Sequence, residues 1–387
     1  MPTCDVKFGF AKPSLTHLAI VHLVKVGRVD YVASQNVDGE DRCTNETAEM
    51  AWTLALTGTE RIHRTLAGIH ARTGIDKEKL AELHGNCFSE RCEKCNKVYL
   101  RDFEMKTVGF KYTRRKCDAC GGRLTDNILD WESALPDDEL DATIHHTEQA
   151  DLVVCMGTSL RITPVCDLPE QVQANGGKLV IVNLQATPKD QRADLVIHAK
   201  CDQVMAQLLK HMEVKVPPYV RVDKARISHH VLFPTPAHRK PFSHGIRGSG
   251  IKLIFSSIHH PKCPLPFVKS LSVELEGENR IMEPTEQLPL VATFRRKVYA
   301  HEDLVFRIVV HFVEQVGMEA STVEYPVRCS EISSNLTAGE DCGREYEFVS
   351  QGYAPPSLYQ PDLHDYHGAG TALQHENTNK KRRTDST

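Results

Sequence analysis

The sequence predicts an α/β fold, a parallel sheet interrupted by a zinc-binding module and followed by a β-rich segment and a disordered tail. Three observations predict it. Apolar runs of strand length alternate with helical segments, the pattern of strands joined by helical crossovers. Cys92-x-x-Cys95 and Cys117-x-x-Cys120 stand 21 residues apart, which is close to zinc-ribbon spacing. Beyond residue 250 the apolar runs change to the alternating kind that suits antiparallel pairing, as in Val305-Phe306-Arg307-Ile308.

In chain order, residues 14 to 27 read as a helix. Ser14 or Thr16 caps it, Leu18, Ala19, Leu23 and Val24 form its apolar stripe, and Gly27 ends it. Val29 to Ser34 is a short buried strand that delivers Gln35-Asn36-Val37-Asp38-Gly39 at its carboxyl end, where open α/β sheets bind ligands. Met50 to Leu56 is weakly helical. Asp151 to Met156, Lys178 to Val182 and Leu195 to Ala199 are three more buried strands. The first leads into Gly157-Thr158-Ser159 and the second into Asn183-Leu184-Gln185. Asp202 to Met212 closes the sheet region as an amphipathic helix, with Val204, Met205, Leu208 and Leu209 inward. Further on, Ile251 to Phe255, Leu271 to Leu275, Leu290 to Phe294 and Leu304 to Phe312 are strand-like. Residues 335 to 387 are polar and punctuated by Gly and Pro, and are expected to be disordered.

Composition bounds the function. A chain of 387 residues predicts two or three domains, and 41% hydrophobic residues suffice for a core. A net charge of −4 gives no global steering toward nucleic acid. Thirteen cysteines, an odd number, and the lack of a secretory apolar stretch at the start point to a reducing compartment. No apolar run approaches membrane-spanning length, so no membrane partner is expected. Residues 91 to 116 hold nine Lys or Arg against three acids, which reads either as a solvated face or as a patch for DNA phosphates or a nucleosome. Lys380-Lys381-Arg382-Arg383 reads either as a nuclear-import signal or as a solvated basic tail.

The four thiols Cys92, Cys95, Cys117 and Cys120 leave no open position on a tetrahedral ion, so the predicted zinc is structural. His84, in Leu83-His84-Gly85-Asn86, is a candidate general base, because a neutral imidazole is poised for proton transfer near pH 7. Taken alone, a single histidine is more often an ordinary core or surface residue than a base. The glycine of Gly157-Thr158-Ser159 lets backbone approach a ligand, and the two hydroxyls can bond phosphate or ribose.

A chain carrying Ser34-Gln35-Asn36-Val37-Asp38-Gly39, Leu83-His84-Gly85-Asn86, the two Cys pairs, Gly157-Thr158-Ser159-Leu160 and Asn183-Leu184-Gln185 in that order resembles the sirtuins, NAD-dependent protein deacylases. Asn127 to Glu132 and Asn183 to Asp190 resemble the nuclear class IV branch. The likeness runs from about Leu15 to about Pro218. It implies a Rossmann-like domain (1–91 with 121–218) and a zinc module (92–120); beyond it, the strand-like runs read as a β-rich accessory region (219–334) and the polar composition as the tail (335–387). It implies NAD as co-substrate, acyl-lysine on histones or other nuclear proteins as substrate, and a nuclear location.

In such proteins the histidine matching His84 removes a proton from the nicotinamide ribose while the acyl oxygen attacks the anomeric carbon. The products are nicotinamide, deacylated lysine and O-acyl-ADP-ribose. By position, Asn36 and Asp38 face the nicotinamide and its ribose, and Gln35 a ribose. Gly157, Thr158 and Ser159 line the adenosine side. Asn183, Leu184 and Gln185 contact the adenine ribose, and Cys201 with Asp202 the adenine. Trp131 and Glu132 lie where relatives pair with the substrate backbone.

Two departures from the family pattern stand out. Nothing matches the Gly-rich loop that cradles the NAD pyrophosphate, which leaves the sheet expected to lack its first strand and to expose an edge. Residues 40 to 68 are extra, and read as a surface excursion or a retained intron, the second favoured by the missing loop. Two other readings stay open: a catalytically weak or silent zinc-ribbon module that binds chromatin, and an NAD-dependent protein ADP-ribosyltransferase.

Overall fold

The computed structural model describes residues 10, 12–35, 52–56, 75–129, 134–232, 246–284, 288–299, 301–329, 343–352 and 373–375. Two compact units emerge: Met1–Tyr219 with Gly352–Tyr366, and Val220–Gln351 with His367–Thr387.

The first unit opens on α1 (Leu15–Lys25). Ser14 caps it, and Ser14 and His17 close a reciprocal capping box. Thr16 does not cap. Its amide and hydroxyl donate to Asp202 Oδ1 at 2.9 and 2.5 Å. Gly27 takes the left-handed conformation that ends the helix, φ 93°. Strands β1 (Tyr31–Ser34), β2 (Trp52–Leu56) and β3 (Leu80–Glu82) follow. After the metal module come α2 (Asp137–Gln149), β8 (Leu152–Met156), α3 (Leu168–Ala174), β9 (Lys178–Val182), β10 (Leu195–Ile197) and α4 (Cys201–His211). Asp137, Asp138 and Glu139 in the first turn of α2 complement its dipole.

The six-stranded sheet has the order β10-β9-β8-β2-β1-β3. β1 runs parallel to β3, and β8 to β9 and β9 to β10. β2 is antiparallel to both of its neighbours, β1 and β8. The stretch expected to be weakly helical is therefore a strand, and the sheet is mixed. An apolar pentapeptide with hydrogen-bonding neighbours on both sides gains two ladders as a strand, which outweighs a weak helical preference. With β2 in place, β1 and β8 do not meet at an open edge.

One apolar cluster joins Leu18, Ala19, Leu23 and Val24 of α1 to Met205, Ala206 and Leu209 of α4. Another packs Val153, Cys155, Leu179 and Ile181 beneath Val165, Leu168 and Val172. Leu208, expected inward, is 41% exposed, because α4 buries one face only.

The metal module is a four-stranded sheet, β5-β4-β7-β6, of β4 (Gly85–Cys92), β5 (Val98–Leu100), β6 (Tyr112–Lys116) and β7 (Arg123–Ile128). It reaches beyond residues 92–120, since the strands that carry the thiols extend back to Gly85 and on to Ile128. Its interior holds Glu90, fully buried, between Arg101 at 2.7 Å and Arg115 at 2.8 Å. Two of the basic residues counted toward a surface patch are thus spent on a buried carboxylate.

The second unit is all β among its described α-helices and strands. One sheet has the order β16-β13-β11-β20-β21, from β11 (Val222–Leu232), β13 (Gly250–Ser257), β16 (Leu290–Phe294), β20 (Arg344–Val349) and β21 (Leu373–His375). The other is β15-β14-β18-β19, from β14 (Val268–Leu275), β15 (Glu278–Met282), β18 (Asp303–Phe312) and β19 (Ser321–Arg328). β12 (Ile246–Gly248) and β17 (Val298–Tyr299) form a short ribbon. All pairings are antiparallel. The alternation read at Val305 to Ile308 holds, with Phe306 and Ile308 buried and Val305 and Arg307 outward. Aromatic rings join the two sheets, Phe294 to Phe306 at 5.5 Å and Phe312 to Phe348 at 5.6 Å. Residues 344–349, placed by the sequence in a disordered tail, are a paired strand with Tyr346 and Phe348 in this core. Two inward aromatics on a six-residue alternating run outweigh the polarity of the surrounding tail.

Candidate functional site

The site is built at one edge of the six-stranded sheet. β2 runs against β1 and β8, so β1 and β8 point the same way, and the carboxyl ends of the five parallel strands share one edge. Ser34 and Met156, the last residues of β1 and β8, both pair with Trp52. β2 therefore begins at that edge, in the position where the strand order reverses between β8 and β1. Open α/β sheets bind ligands at this switch point.

His84 stands here, half-buried, between β3 and β4. Its Nδ1 lies 2.7 Å from the Gln35 carbonyl oxygen. A carbonyl only accepts, so Nδ1 carries a proton in this contact, and in the neutral ring Nε2 is then the acceptor. The segment is tied down on both sides, Leu83 N–H donating to Ser34 O at 3.0 Å and Leu129 N–H to His84 O at 3.0 Å. Gly85 has φ 86°, and a Cβ there would stand 2.0 Å from the Asn127 carbonyl oxygen. Only glycine permits this approach of β4 to β7.

Asn86 is buried and donates to both oxygens of the Glu82 carboxylate, at 3.0 and 3.2 Å. The Glu82 amide donates to Glu139 at 2.6 Å, and burial holds the Glu139 carboxyl above its ordinary range. Sequence reasoning missed this support. Glu82 and Glu139 are 57 residues apart, and no motif links them.

The Gly157 and Asn183 loops leave adjacent parallel strands in register, Met156 opposite Val182. Gly157 has φ 58° and donates to Val182 O at 2.8 Å. Thr158 is buried and its hydroxyl accepts from the Leu160 amide at 3.2 Å, while Ser159 is half-buried. Asn183 is buried and donates to Gln185 O at 3.0 Å, which shapes a turn that leaves Leu184 and Gln185 exposed. Cys201 begins α4, and burial pushes its thiol up to about 11. Asp202, expected on the adenine side, is tied to Thr16 of α1.

Gln35, Gly157, Thr158, Ser159, Asn183, Leu184 and Gln185 thus lie on carboxyl-edge loops. Asn36, Asp38, Trp131 and Glu132 lie outside the described residues. The Gln35 side-chain Nε2 is buried and has no hydrogen-bond partner among the described residues. A buried donor left unpaired costs about 1–3 kcal/mol. A ligand oxygen at this edge would relieve it, so the donors present fit a hydroxyl-rich ligand such as NAD.

The metal site is closed. All four cysteine sulfurs lie within 4.8 Å of one another, with Cys92 to Cys120 at 3.4 Å and Cys95 to Cys117 at 3.6 Å. Zinc–sulfur bonds of about 2.3 Å put tetrahedral sulfurs about 3.8 Å apart, so the cluster fits one zinc. Each pair sits on a tight turn, Asn96 N–H to Cys92 O and Gly121 N–H to Cys117 O, both 2.9 Å. A Cβ at Gly122 would lie 2.9 Å from Cys92 Sγ. The Tyr99 hydroxyl donates to Asp118 Oδ1 and lies 3.1 Å from Cys117 Sγ, beside the cluster.

Residues 56–164 match the model of the Sir2 family. The chain is 38% identical over 331 residues to the NAD-dependent protein deacetylase SRT1 of Oryza sativa subsp. indica, covering 84% of this chain and 60% of that protein. It is 36% identical over 227 residues to the NAD-dependent protein deacetylase Sirt6 of Drosophila melanogaster, covering 56% of this chain and 62% of that protein. A solved structure of Sir2Tm bound to a propionylated peptide is 27% identical, covering 54% of this chain and 74% of that one, with a TM-score of 0.39. The chain spans about three fifths of the length of these two deacetylases.

The likeness to the rice protein does not stop at Pro218, because 331 aligned residues exceed the 218 that end there. It reaches into the β-rich unit, which sequence motifs alone left unassigned. This chain is therefore similar to the sirtuin deacetylases, carries a match to the Sir2 family over residues 56–164, and extends that likeness into its second unit.

Proposed function

We propose that the protein is an NAD-dependent protein-lysine deacylase of the nuclear class IV kind, releasing nicotinamide and O-acyl-ADP-ribose. The observation that carries this reading is His84. Its Nδ1–H is held by the Gln35 carbonyl at 2.7 Å, which leaves Nε2 as a base at the carboxyl edge of the sheet. Bound NAD supplies the electrophilic ribose carbon. His84 removes a hydroxyl proton, and Gln35 offers its unpaired amide to a ligand oxygen. Thr158, Asn183 and their loops hold the far end of the ligand. The zinc keeps β4 and β7 in place, and β4 begins one residue after His84. Acyl-lysine on histones or other nuclear proteins is the substrate class, with Trp131 and Glu132 pairing with its backbone. The exposed basic residues of the metal module, among them Lys94, Lys106, Lys111 and Lys116, offer a surface for a nucleosome or DNA.

Support comes from two curated relatives that are named NAD-dependent protein deacetylases, and from the family match that includes His84. The test is an acetyl-lysine peptide with NAD, analysed by mass spectrometry, for the parent and for His84→Tyr. The parent is expected to form nicotinamide and O-acetyl-ADP-ribose. Loss of a general base costs about 100- to 10,000-fold. ADP-ribose transferred to protein instead would establish the transferase reading. NAD left intact would establish the silent module. Equal turnover in His84→Tyr would show that another group is the base.

A further inference from the structure

Residues 80–90 are all buried except His84, which is half-buried at the turn between β3 and β4. A side-chain bridge closes that turn. Asn86 Nδ2 donates to both carboxylate oxygens of Glu82, at 3.0 and 3.2 Å, across His84. Four residues of extended chain span about 13 Å, more than these two side chains can bridge, so the contact exists only with the chain folded back at His84. Both ends of the bridge are themselves held. Glu82 stands opposite Ser34 in the parallel register of β3 with β1, and the next residue of that chain, Gln35, supplies the carbonyl that accepts from His84. The Glu82 amide faces the other way, because β3 is the edge strand. There the Glu139 carboxylate of α2 accepts it at 2.6 Å, in place of a further strand. At the other end, Asn86 Oδ1 accepts the Phe88 amide at 2.7 Å and the Asn86 carbonyl accepts Ser89 Oγ at 3.1 Å. With its oxygen engaged by an N–H, the Asn86 side chain has its amide nitrogen toward Glu82.

We infer that Glu82 is a positioning residue for His84: its bridge to Asn86 holds the turn so that the imidazole Nδ1–H meets the Gln35 carbonyl and Nε2 is left as the acceptor. Without the bridge the turn relaxes and the 2.7 Å contact opens. The neutral ring is then free to carry its proton on Nε2, which removes the lone pair a base needs. Glu139 acts on the same turn from the edge of the sheet, through the Glu82 amide. The consequence for turnover rests on the deacylase reading. The consequence for the ring does not, because it follows from the hydrogen bonds alone.

The experiment is heteronuclear NMR of the full chain with isotope-labelled histidine, read at the ring nitrogens at about pH 9, where imidazole is neutral. The His84 signal is assigned by its absence in His84→Tyr. The parent is expected to show the Nδ1–H tautomer. Glu82→Gln sets one amide against another, and Asn86→Asp sets one carboxylate against another. Each should move the signal toward the Nε2–H tautomer, and Glu139→Ala should move it the same way. Glu82→Gln combined with Asn86→Asp reverses the polarity of the bridge, the new amide donating to the new carboxylate, and should restore the parental signal. Turnover of an acetyl-lysine peptide with NAD, read in parallel, should fall by up to about 100-fold in kcat in each bridge variant, with KM little changed, and recover in the double variant. A parental ring signal in both Glu82→Gln and Asn86→Asp would overturn the inference. So would a double variant no closer to the parent than either single one, which also decides the matter if a single variant does not fold. A parent that shows no turnover, but whose ring signal responds as described, would sink the deacylase reading and still support the positioning role.

Discussion

Gly85 shows how a single residue sets the candidate base. The strand that follows His84 approaches β7 so closely that a methyl group at Gly85 would overlap the Asn127 carbonyl. Gly85→Ala would also hold alanine at φ 86°, a conformation costing about 1–3 kcal/mol. We predict a loss of stability of at least that size, read by denaturant unfolding, together with loss of turnover as His84 shifts off the Gln35 carbonyl. A stable, fully active Gly85→Ala protein would show that the approach of β4 to β7 is looser than described.

His17 carries a prediction on pH. Burial lowers it to about 4, and the charge of Asp202 only partly opposes this. Its Nδ1 accepts the Ser14 backbone N–H at 3.2 Å, so the capping box needs neutral imidazole. The unfolded state binds the proton first, near pH 6.5, so stability is complete above that pH and falls as pH drops toward 4. The loss at the low end is about 3 kcal/mol. His229, likewise lowered to about 4 by burial, imposes the same sign on the second unit. Unfolding measured from pH 7 to pH 4 should show this slope, and His17→Gln should flatten it for the first unit. A slope unchanged by His17→Gln would assign the proton uptake elsewhere.

Among the elements, β2 is the least expected. It enters the sheet at the ligand edge and pairs with β1 on one side and β8 on the other. Leu54 sits at its middle, opposite Val32 and Val154. Proline there has no N–H to donate and cannot sit in a central strand without breaking the ladder. Leu54→Pro should therefore lower amide-exchange protection at Val32 and Val154 and leave β18 and β19 of the second unit unchanged. Full protection at both valines would show that β2 does not hold the centre of the sheet. By contrast α1, β8 and β9 lie within a residue or two of where the apolar runs put them, since an apolar face with a cap or a turn at its end has one way to be buried.

At the scale of the whole molecule, the four-cysteine cluster belongs to the first unit, and the described residues of the second hold no such cluster. A four-thiolate zinc contributes about 10–16 kcal/mol of apparent binding energy in small domains, energy that becomes folding energy. The second unit relies on its aromatic core of Phe255, Phe294, Phe306 and Phe348. A chelator should therefore release one zinc per chain and abolish amide protection in β4 to β7, while β13 and β18 keep theirs. Protection lost evenly across both units would show that they fold as one. Metal analysis finding no zinc in folded protein would show the four sulfurs to be free thiols.

The sequence by itself determined the four-cysteine cluster and the strands that lead into Gly157 and Asn183. Each rests on spacing along the chain, and short-range spacing survives folding intact. Cys92-x-x-Cys95 makes one turn wherever the ribbon sits, and an apolar run seeks a core in any context. Only the tertiary structure decided what pairs across distance. It put residues 52–56 in a sheet rather than a helix, and 344–349 in a core rather than a tail. It spent Arg101 and Arg115 on Glu90, and bound Glu82 to Glu139 and Asp202 to Thr16. These contacts join residues tens to hundreds of positions apart. Their energy comes from burying a charge or a backbone group against one particular partner, and which partner that is depends on the closed fold and not on the neighbouring residues.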